Sequence, residues 1–573
     1  MEPVTVRRWA PRGAEPGVEE ISLLCTGLGV SPLAAAALWG RGVQTVADGR
    51  VFLDAGLTAL PDPFLLSGMK RGVDRLVIAI EGGEGIAVHG DYDVDGITGT
   101  ALLVETLRAF GAVVDYHIPL RLKDGYGLSA EALRRAAAAG ARVALSVDCG
   151  VSAVEEGRLA RELGLDLIVT DHHQVPETLP EALAIINPHL PESPFPAREL
   201  SGVGVAFFLM IALRKTLRER GAFASAAEPD LRRSLDLVAL GTIADVVPLT
   251  GVNRILTRFG LELLGRAGRP GVAALKEVAA VKEMNSAAVG FRLGPRLNAA
   301  GRLEDAALGV DLLLESSPAR AGEIAAHLDG LNRERQQLEQ ETLSQAIERL
   351  EEGGEGGECS IVLADERWHP GVIGIVASRL VERYHRPTIL IALENGQGKG
   401  SARSIAGFHL YCALQDCSEF LAGYGGHQYA AGLSLAGEAV GAFAAALDGV
   451  ARRILSAEDL VPKLPHDGEI LLEDITRGSL GELAKLSPFG AGNPEPAFVA
   501  RGLRAQQVSV VGEKHLRFTA RQGGYSIPCI AFGMVDRRTE LEGEFDLLFH
   551  PGLNEYRNSV TVQLRVRDIR PAV

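Results

Sequence analysis

Four side chains that could bind a metal ion follow one short apolar run. The run Ile86–Val88 is followed, at every second position, by His89, Asp91, Asp93 and Asp95. Carboxylates this close together repel one another unless a cation holds them. A solvated acidic turn is the plain alternative, but the segment directly follows an apolar strand. A calcium loop would need Glu at its twelfth position, where Leu102 stands.

The same pattern of an apolar run ending in polar side chains recurs twice. The run Val143–Val147 is followed by Asp148, and the run Leu165–Thr170 by Asp171, His172 and His173. In an open parallel sheet, ligands bind beyond the carboxyl ends of the strands. A further acid, Asp245, lies in the apolar run 237–248, where a carboxylate is rarely left unpaired.

Each of these acids alone has a structural explanation, since Asp148 could cap a helix and Asp245 could pair with a buried Arg. Together they supply oxygen and imidazole ligands to one crevice. Such ligands suit Mn²⁺ or Mg²⁺ better than a thiolate-binding metal. There are enough of them for two ions, and a pair of ions can activate water for a phosphoryl displacement.

The elements that must position these residues can also be read from the sequence. Short apolar runs alternate with amphipathic segments from about 85 to 190, which predicts a parallel sheet covered by helices. Residues 200–300 are mostly helical in pattern. Residues 318–352 predict a long charged helix between two domains, and 359–455 a second α/β unit. The last part of the chain alternates apolar and polar residues, which indicates a small β domain.

Composition limits the class of protein. The 573 residues carry a formal net charge of −15, which argues against a protein that coats nucleic acid non-specifically. The six cysteines form no CxxC pair, so neither a disulfide framework nor a zinc knuckle is predicted. We find no apolar run long enough for a membrane span and no secretory signal, and we expect a cytoplasmic protein.

Several longer motifs resemble a known superfamily. The segments HGDYDVDG, SVDCG, VTDHH and IADVVP, in this order, resemble the DHH phosphoesterases. The segments 291–305 (FRLGPRLNAAGRLED), 399–408 (KGSARSIAGF) and 424–433 (YGGHQYAAGL) are similar to the RecJ family of bacterial single-strand-specific exonucleases. The resemblance implies an α/β protein with four parts: a parallel-sheet DHH domain with a helical lead-in (1–317), a connecting helix (318–352), an α/β DHHA1 domain (353–456) and an OB-like β-barrel (457–573).

The resemblance also implies roles for the metal-binding residues. One ion would be bound by His89, Asp93 and Asp148. The other would be bound by Asp95, Asp148, His172 and Asp245, with Asp148 bridging the two. Asp91 and Asp171 would orient these ligands, and His173 would face the scissile phosphate.

Phosphate-binding residues follow from the same resemblance. Asn298 and Arg302, with Arg296 as a weaker candidate, would approach the scissile or a neighbouring phosphate. Ser401 and Arg403 would bind a terminal 5′-phosphate, with Arg121 opposite, and Gly425, Gly426 and His427 would contact phosphate. The chain has Leu120 where the family pattern has Asn, which affects fine positioning of the substrate but no metal ligand. In the barrel, single strands would contact basic and aromatic candidates: Phe489, Lys514, His515, Arg517, Phe518, Tyr556 and Arg557.

The implied function is 5′→3′ hydrolysis of single-stranded DNA to 5′-mononucleotides with two divalent ions, Mn²⁺ or Mg²⁺, in DNA repair and recombination. The implied partners are single-strand-binding protein and a helicase. Two alternatives stand beside it: a DHH phosphodiesterase acting on oligoribonucleotides or cyclic dinucleotides, and a catalytically inactive scaffold that binds single-stranded DNA. The C-terminal barrel disfavours the first alternative, and the retained metal ligands disfavour the second.

Overall fold

The computed structural model describes residues 7–120, 127–225, 227–351, 355–556 and 559–572. The chain divides into two compact units. One contains residues 1–10 and 330–464, and the other contains residues 11–329 and 465–573. The first described elements are β1 (Arg8–Pro11) and the helices α1 (Val18–Leu28), α2 (Pro32–Trp39) and α3 (Val46–Asp54). Within the described ranges no single helix has the length and apolar composition of a membrane span, and only the bent pair α1 and α2 passes such a test together.

A five-stranded parallel sheet forms the centre of the larger unit. It is preceded by α4 (Met69–Gly82), and its strands are β2 (Gly85–His89), β3 (Val113–His117), β4 (Ala141–Val147), β5 (Asp166–Thr170) and β6 (Ala184–Ile186). Their order is β3-β2-β4-β5-β6. The crossover helices are α5 (Val94–Ala109), α6 (Ala130–Ala138) and α7 (Val154–Glu162). Strands β2, β4 and β5 are apolar and almost wholly buried, as parallel strands covered on both faces must be.

Helices follow the sheet, as the sequence predicts. They are α8 (Gly202–Glu219), α9 (Leu235–Ala244), α10 (Gly251–Arg266), α11 (Pro270–Val278), α12 (Ser286–Ala288), α13 (Gly294–Leu303) and α14 (Ala307–Leu314). Between α12 and α13 the chain forms a π-helical turn, Val289–Leu293. The predicted long helix is α15, which runs from Pro318 to Glu351.

The smaller unit contains a mixed five-stranded sheet. Its elements are β7 (Ile361–Asp365), α16 (Ile373–Tyr384), β8 (Thr388–Glu394), β9 (Gln397–Arg403), α17 (Leu410–Asp416), β10 (Gly423–Gly426), β11 (Ala430–Ala436) and α18 (Val440–Ile454). The strand order is β10-β11-β9-β8-β7, and only β7 and β8 are parallel. The second α/β unit expected from the sequence is therefore present.

A closed barrel lies at the C-terminal end of the described chain. After β12 (Lys463–His466) and α19 (Arg477–Ala484) come β13 (Phe498–Val511), β14 (His515–Gln522), β15 (Tyr525–Ala531), β16 (Glu544–Tyr556) and β17 (Ser559–Pro571). The barrel order is β13-β14-β15-β17-β16, with β15 and β17 parallel, which is OB-like. Leu33 and Leu38 of α2 share a hydrophobic core with barrel residues such as Phe498 and Phe549. The helical lead-in thus packs with the barrel.

One buried arginine joins α3, α10 and the segment after α19. The guanidinium of Arg254, in α10, donates to the backbone carbonyls of Phe52, Lys485 and Ser487 at 2.7–3.0 Å. It also lies 4.2 Å from the centre of the Phe52 ring. Burial lowers the pKa of Arg254 to about 10. These contacts satisfy carbonyl oxygens at the ends of separate elements, where no helix or strand partner exists.

We expect Arg254→Met to lower the free energy of unfolding by about 3 kcal/mol, because it leaves the three carbonyls without their charged donor. Denaturant unfolding followed by tryptophan fluorescence measures the loss. Arg232→Met is the matched control, since Arg232 is 73% exposed in its side chain and pairs with Asp230 in its own turn. Equal midpoints for the two variants would contradict the role assigned to Arg254.

Candidate active site

The predicted metal-binding side chains lie at the carboxyl edge of the parallel sheet. His89 ends β2, Asp148 follows β4, and Asp171 and His172 follow β5. Asp245 caps the C-terminus of α9. The order of the strands places β2, β4 and β5 side by side, so that residues distant in sequence meet at one edge.

Three carboxylates surround one imidazole nitrogen. His172 Nε2 lies 3.0 Å from Asp148 Oδ1, 3.8 Å from Asp95 Oδ2 and 3.7 Å from Asp245 Oδ2. Candidate ligand atoms form three groups, in each of which all atoms lie within 4.8 Å of one another: Asp95, His172 and Asp245; Asp148, His172 and His173; Asp91, Asp93 and Asp148. Asp148 and His172 each belong to two of these groups, and the bridging role of Asp148 stays a prediction.

The electrostatics of the cluster favour a bound cation. Burial, followed by the charges of neighbouring aspartates, raises the pKa of Asp148 and Asp245 far above the usual range and that of Asp95 to about 7. Burial and the neighbouring His173 lower the pKa of His172 to about 4, so its imidazole is neutral at pH 7. Neutral imidazoles and crowded carboxylates are what a hard divalent ion binds. The donor set therefore fits Mn²⁺ or Mg²⁺.

Backbone amides hold the carboxylates of Asp93 and Asp95 in place. Asp93 is the N-cap of α5, and its Oδ1 accepts from the amides of Asp95 and Gly96. Asp95 accepts from the amides of Gly202 (2.6 Å) and Val203 (2.9 Å) in the first turn of α8. Both carboxylates thus benefit from the positive end of a helix. A Cβ at Gly202 would lie 2.6 Å from Asp148 Cβ, so only glycine allows this approach.

Asp171 is already saturated with hydrogen bonds from the protein. Its Oδ1 accepts from the amides of His172 and His173 and lies 2.7 Å from His173 Nδ1, and its Oδ2 accepts from the Val151 amide. Burial raises its pKa, but the hydrogen bonds from His173 and the backbone lower it further, so the net shift is downward. These hydrogen bonds fix the ring of His173, and the orienting role of Asp171 in metal binding stays a prediction.

The candidate ligand groups do not reproduce the roles that the resemblance implies for His89 and Asp91. His89 is buried, burial lowers its pKa to about 3, and its two ring nitrogens have no hydrogen-bond partner among the described residues. Among the described residues, His89 belongs to none of the three ligand groups, so its metal-binding role stays a prediction. Asp91, predicted to orient other ligands, is itself placed among the candidate ligand atoms.

Helix α13 carries the first set of predicted phosphate-binding residues. Asn298 Oδ1 accepts from the amide of Val94 at 3.1 Å, which places Asn298 at the start of α5. Arg302 is half-buried on the same helix. Arg296 instead pairs with Asp329 at 2.9 Å and donates to the Arg292 carbonyl, so its charge is already balanced within the protein. Substrate binding by these residues stays a prediction.

The second set lies in the smaller unit, beside the N-terminus of α16. A Cβ at Gly374, in the first turn of α16, would lie 2.7 Å from Ser401 Oγ and 3.1 Å from an Arg403 side-chain nitrogen. In the neighbouring strand, Ala430 pairs with Arg403 and accepts from the His427 amide at 2.8 Å. Sequence reasoning did not place the first turn of α16 beside Ser401 and Arg403. The segment His369-Pro-Gly before a helical pattern was the available signal, because helix N-termini bind anions.

Gly425 and Gly426 lie in β10 of the same sheet. Gly426 has φ of +143°, and a Cβ there would lie 2.5 Å from the Ala430 carbonyl oxygen. Both observations require glycine at this turn.

The remaining predictions have mixed outcomes. Arg121 and Arg557 lie outside the described residues, as does the side chain of Tyr556. His515 and Arg517 lie in β14, where Arg517 is exposed, whereas Phe518 is 2% exposed and belongs to the barrel core. Phe489 also packs against that core. The alternation of β14 explains the correction, because neighbouring residues of a strand point to opposite faces.

Comparison with known proteins defines the class first. The family model described as "DHH family, N-terminal domain" matches residues 85–242, and the model described as "DHHA1 domain" matches residues 357–453. The fold and the acidic site are thus those of a metal-dependent phosphoesterase of the DHH class. A third family model, "RecJ OB domain", matches residues 466–568.

Individual relatives narrow the class to one family. The chain is 41% identical over 562 residues to the single-stranded-DNA-specific exonuclease RecJ of Escherichia coli, covering 94% of this chain and 96% of that protein. It is 39% identical to RecJ of Bacillus subtilis, covering 96% and 70%. The crystal structure of RecJ from Thermus thermophilus in complex with Mn²⁺ matches with a TM-score of 0.84 at 34% identity, and the match covers 98% of this chain and 79% of that chain. The complex with Mg²⁺ matches with a TM-score of 0.78 at 32% identity and covers 98% of this chain and 78% of that chain. The chain belongs to the RecJ family.

Between about pH 5 and about pH 7, Asp95, Asp148 and Asp245 lower the stability of the protein without divalent ions as the pH rises, whereas His89 and His172, whose pKa values burial lowers to about 3 and about 4, raise it. In this range Asp95, Asp148 and Asp245 keep protons in the folded state that the unfolded chain, with carboxyl pKa values of about 4, has already lost. Because Mn²⁺ displaces these protons, the stabilisation by Mn²⁺ should be larger at pH 7 than at pH 5.

Differential scanning fluorimetry at each pH, with EDTA or with Mn²⁺, measures the melting temperature and its increase with Mn²⁺. Asp148→Asn should lose most of the stabilisation by Mn²⁺, whereas Asp74→Asn, at an exposed ion pair with Lys70, should keep it. An increase in melting temperature with Mn²⁺ that is equal at both pH values would contradict the assignment.

Proposed function

We propose that this chain is a Mn²⁺- or Mg²⁺-dependent exonuclease that degrades single-stranded DNA in the 5′→3′ direction and releases 5′-mononucleotides. The observation that carries the proposal is the arrangement of Asp95, Asp148 and Asp245 around His172 in a member of the RecJ family. Proteins of this family that resemble the chain over more than nine-tenths of its length are named single-stranded-DNA-specific exonucleases.

The proposal assigns a role to each residue of the candidate active site. One ion would be held by His89, Asp93 and Asp148, and the other by Asp95, Asp148, His172 and Asp245. Bound there, the ions would supply positive charge to activate water and to stabilise the oxygens of the phosphoryl group. Asp171 fixes the ring of His173, which contacts the scissile phosphate. Asn298 and Arg302 bind that phosphate or its neighbour.

The proposed polarity depends on recognition of a 5′ end. Ser401 and Arg403, beside the first turn of α16, offer a hydroxyl, a guanidinium and backbone amides to a terminal phosphate. Arg403 donates to the Ala402 carbonyl and to Ser401, which fixes the guanidinium. A dianionic terminal phosphate would gain more from this site than an internal diester.

The proposal extends to partners and location. Single-strand-binding protein and a helicase would supply the single strands, and the cytoplasm is where the chromosomal DNA of a bacterium lies. The acidic net charge of −15 supports a protein that contacts DNA at defined places rather than over its whole surface.

We expect the purified protein with Mn²⁺ to shorten a 3′-labelled single-stranded oligonucleotide stepwise from its 5′ end, as seen by gel electrophoresis. Asp148→Ala should lower the rate at least about 1,000-fold, because it removes a ligand shared by both ions. Asp74→Ala is the matched control and should retain full activity. Cleavage of short oligoribonucleotides or cyclic dinucleotides alone would favour the small-substrate phosphodiesterase, and binding without cleavage would favour the scaffold.

We expect removal of the 5′-phosphate from the oligonucleotide to raise the KM of the wild-type protein, and Arg403→Ala to abolish that difference. For the phosphorylated substrate, Arg403→Ala should raise the KM about 10-fold to 100-fold, which corresponds to the loss of a charge-assisted hydrogen bond. Steady-state kinetics with paired substrates measures it. Arg453→Ala, in an exposed pair with Asp416, is the control. Equal preference for the phosphate in Arg403→Ala and wild type would refute the pocket.

A further inference from the structure

An exposed phenylalanine lies in an unusual backbone segment of the catalytic domain. Phe291 is 83% exposed, more than any other aromatic side chain in the part of the chain that the structure describes. It lies in the π-helical turn Val289–Leu293. Such turns are rare and occur frequently at functional sites. Val289 and Leu293 are fully buried and fill the interior side of the turn, so Phe291 has no packing role there.

This turn packs beside the carboxylate cluster. A Cβ at Gly294, the residue after the turn, would lie 3.5 Å from Ala244 Cβ and 4.0 Å from a methyl group of Val94. Ala244 directly precedes Asp245, and Val94 lies between Asp93 and Asp95. The turn that carries Phe291 is therefore held next to the backbone that carries three of the predicted metal ligands.

A second exposed apolar residue directly follows Asp245. Val246 is 68% exposed and has φ of +62°, in the left-handed region that a β-branched residue rarely adopts. Glycine or asparagine would adopt this conformation with less strain. Because the Val246 side chain is mostly exposed, its packing does not offset the strain. Backbone strain of this kind is concentrated at active sites and ligand contacts.

We propose that Phe291 and Val246 form an apolar rim on which a nucleobase of the substrate strand stacks, next to the scissile phosphodiester. The inference rests on the proposed exonuclease function and adds residues that position its substrate. Stacking suits an enzyme without sequence preference, since every base has a flat apolar face. In a single strand that face is accessible, whereas in a duplex neighbouring bases cover it. The occupant is thus a base of single-stranded DNA.

Charge supports this choice of occupant. The site contains clustered aspartates in a protein of net charge −15, so the phosphates of DNA gain little from long-range attraction. Contact with a base is independent of the charge of the protein. A base held on the rim would fix the adjoining phosphodiester without additional cations from the chain.

Steady-state kinetics on a single-stranded oligonucleotide tests the rim with three variants. Phe291→Ala should raise the KM about fivefold to 100-fold with a smaller change in kcat, and Phe291→Tyr should restore the wild-type KM. Val246→Gly should also raise the KM while its melting temperature stays equal or rises, because the strain is relieved. Val18→Ala, at an 88% exposed position of α1, is the matched control and should change neither quantity.

Substrates with a single abasic nucleotide locate the stacked base. When the abasic position, moved one nucleotide at a time from the 5′ end, reaches the rim, wild type and Phe291→Ala should have the same KM. An unchanged KM for Phe291→Ala, or a defect of equal size with the abasic nucleotide at every position, would overturn the proposal. A wild-type protein that cleaves no DNA would instead refute the exonuclease function itself, so the two failures are distinguishable.

Discussion

The mutual repulsion of buried carboxylates is the constraint that the catalytic domain must satisfy. Asp95 and Asp148 are almost completely buried, and Asp245 lies close to both across His172. Burying even one unpaired carboxylate is costly. The fold offsets part of this cost before any cation binds, because the amides of α5 and α8 donate to Asp93 and Asp95. Helix α5 begins at this edge because it follows β2 directly, whereas α8 reaches Asp95 through its packing against the domain.

The same constraint explains the irregular backbone around the site. Asp148 adopts a φ of +63°, and Gly202 approaches it so closely that any side chain would clash. Strained backbone of this kind clusters at functional sites, and here it occurs directly after β4, at a residue whose carboxylate lies 3.0 Å from His172 Nε2.

Much of this arrangement could be predicted from the sequence. Parallel strands are buried on both faces, so their continuous apolar runs are easy to recognise, and the polar residues at their ends lie along one edge of the sheet. The strand order then makes β2, β4 and β5 neighbours. The sequence could not reveal that Asp95 accepts from Gly202 and Val203, more than 100 residues away. Such contacts depend on how α8 packs, and the local sequence pattern does not specify that packing. The pairing of Arg296 with Asp329 was unpredictable for the same reason. The sequence of a motif does not show whether its arginine binds a phosphate or a carboxylate.

The lead-in helices show a different limit of sequence reasoning. The sequence indicates a helical lead-in, but a helical pattern does not specify what the helices pack against, and in the structure α2 packs against the barrel from the other end of the chain.

An acidic protein that binds an acidic polymer must separate attraction from repulsion in space. The aspartates that hold the cations repel DNA phosphates whenever the cations are absent, so binding of metal and of substrate must reinforce each other. In the proposed function, Ser401, Arg403 and the start of α16 would form a region of opposite character in the smaller unit, where a phosphate would be attracted without a metal. A permanent attraction in one unit and a metal-dependent attraction in the other would let the terminus of a strand be recognised independently of the ions.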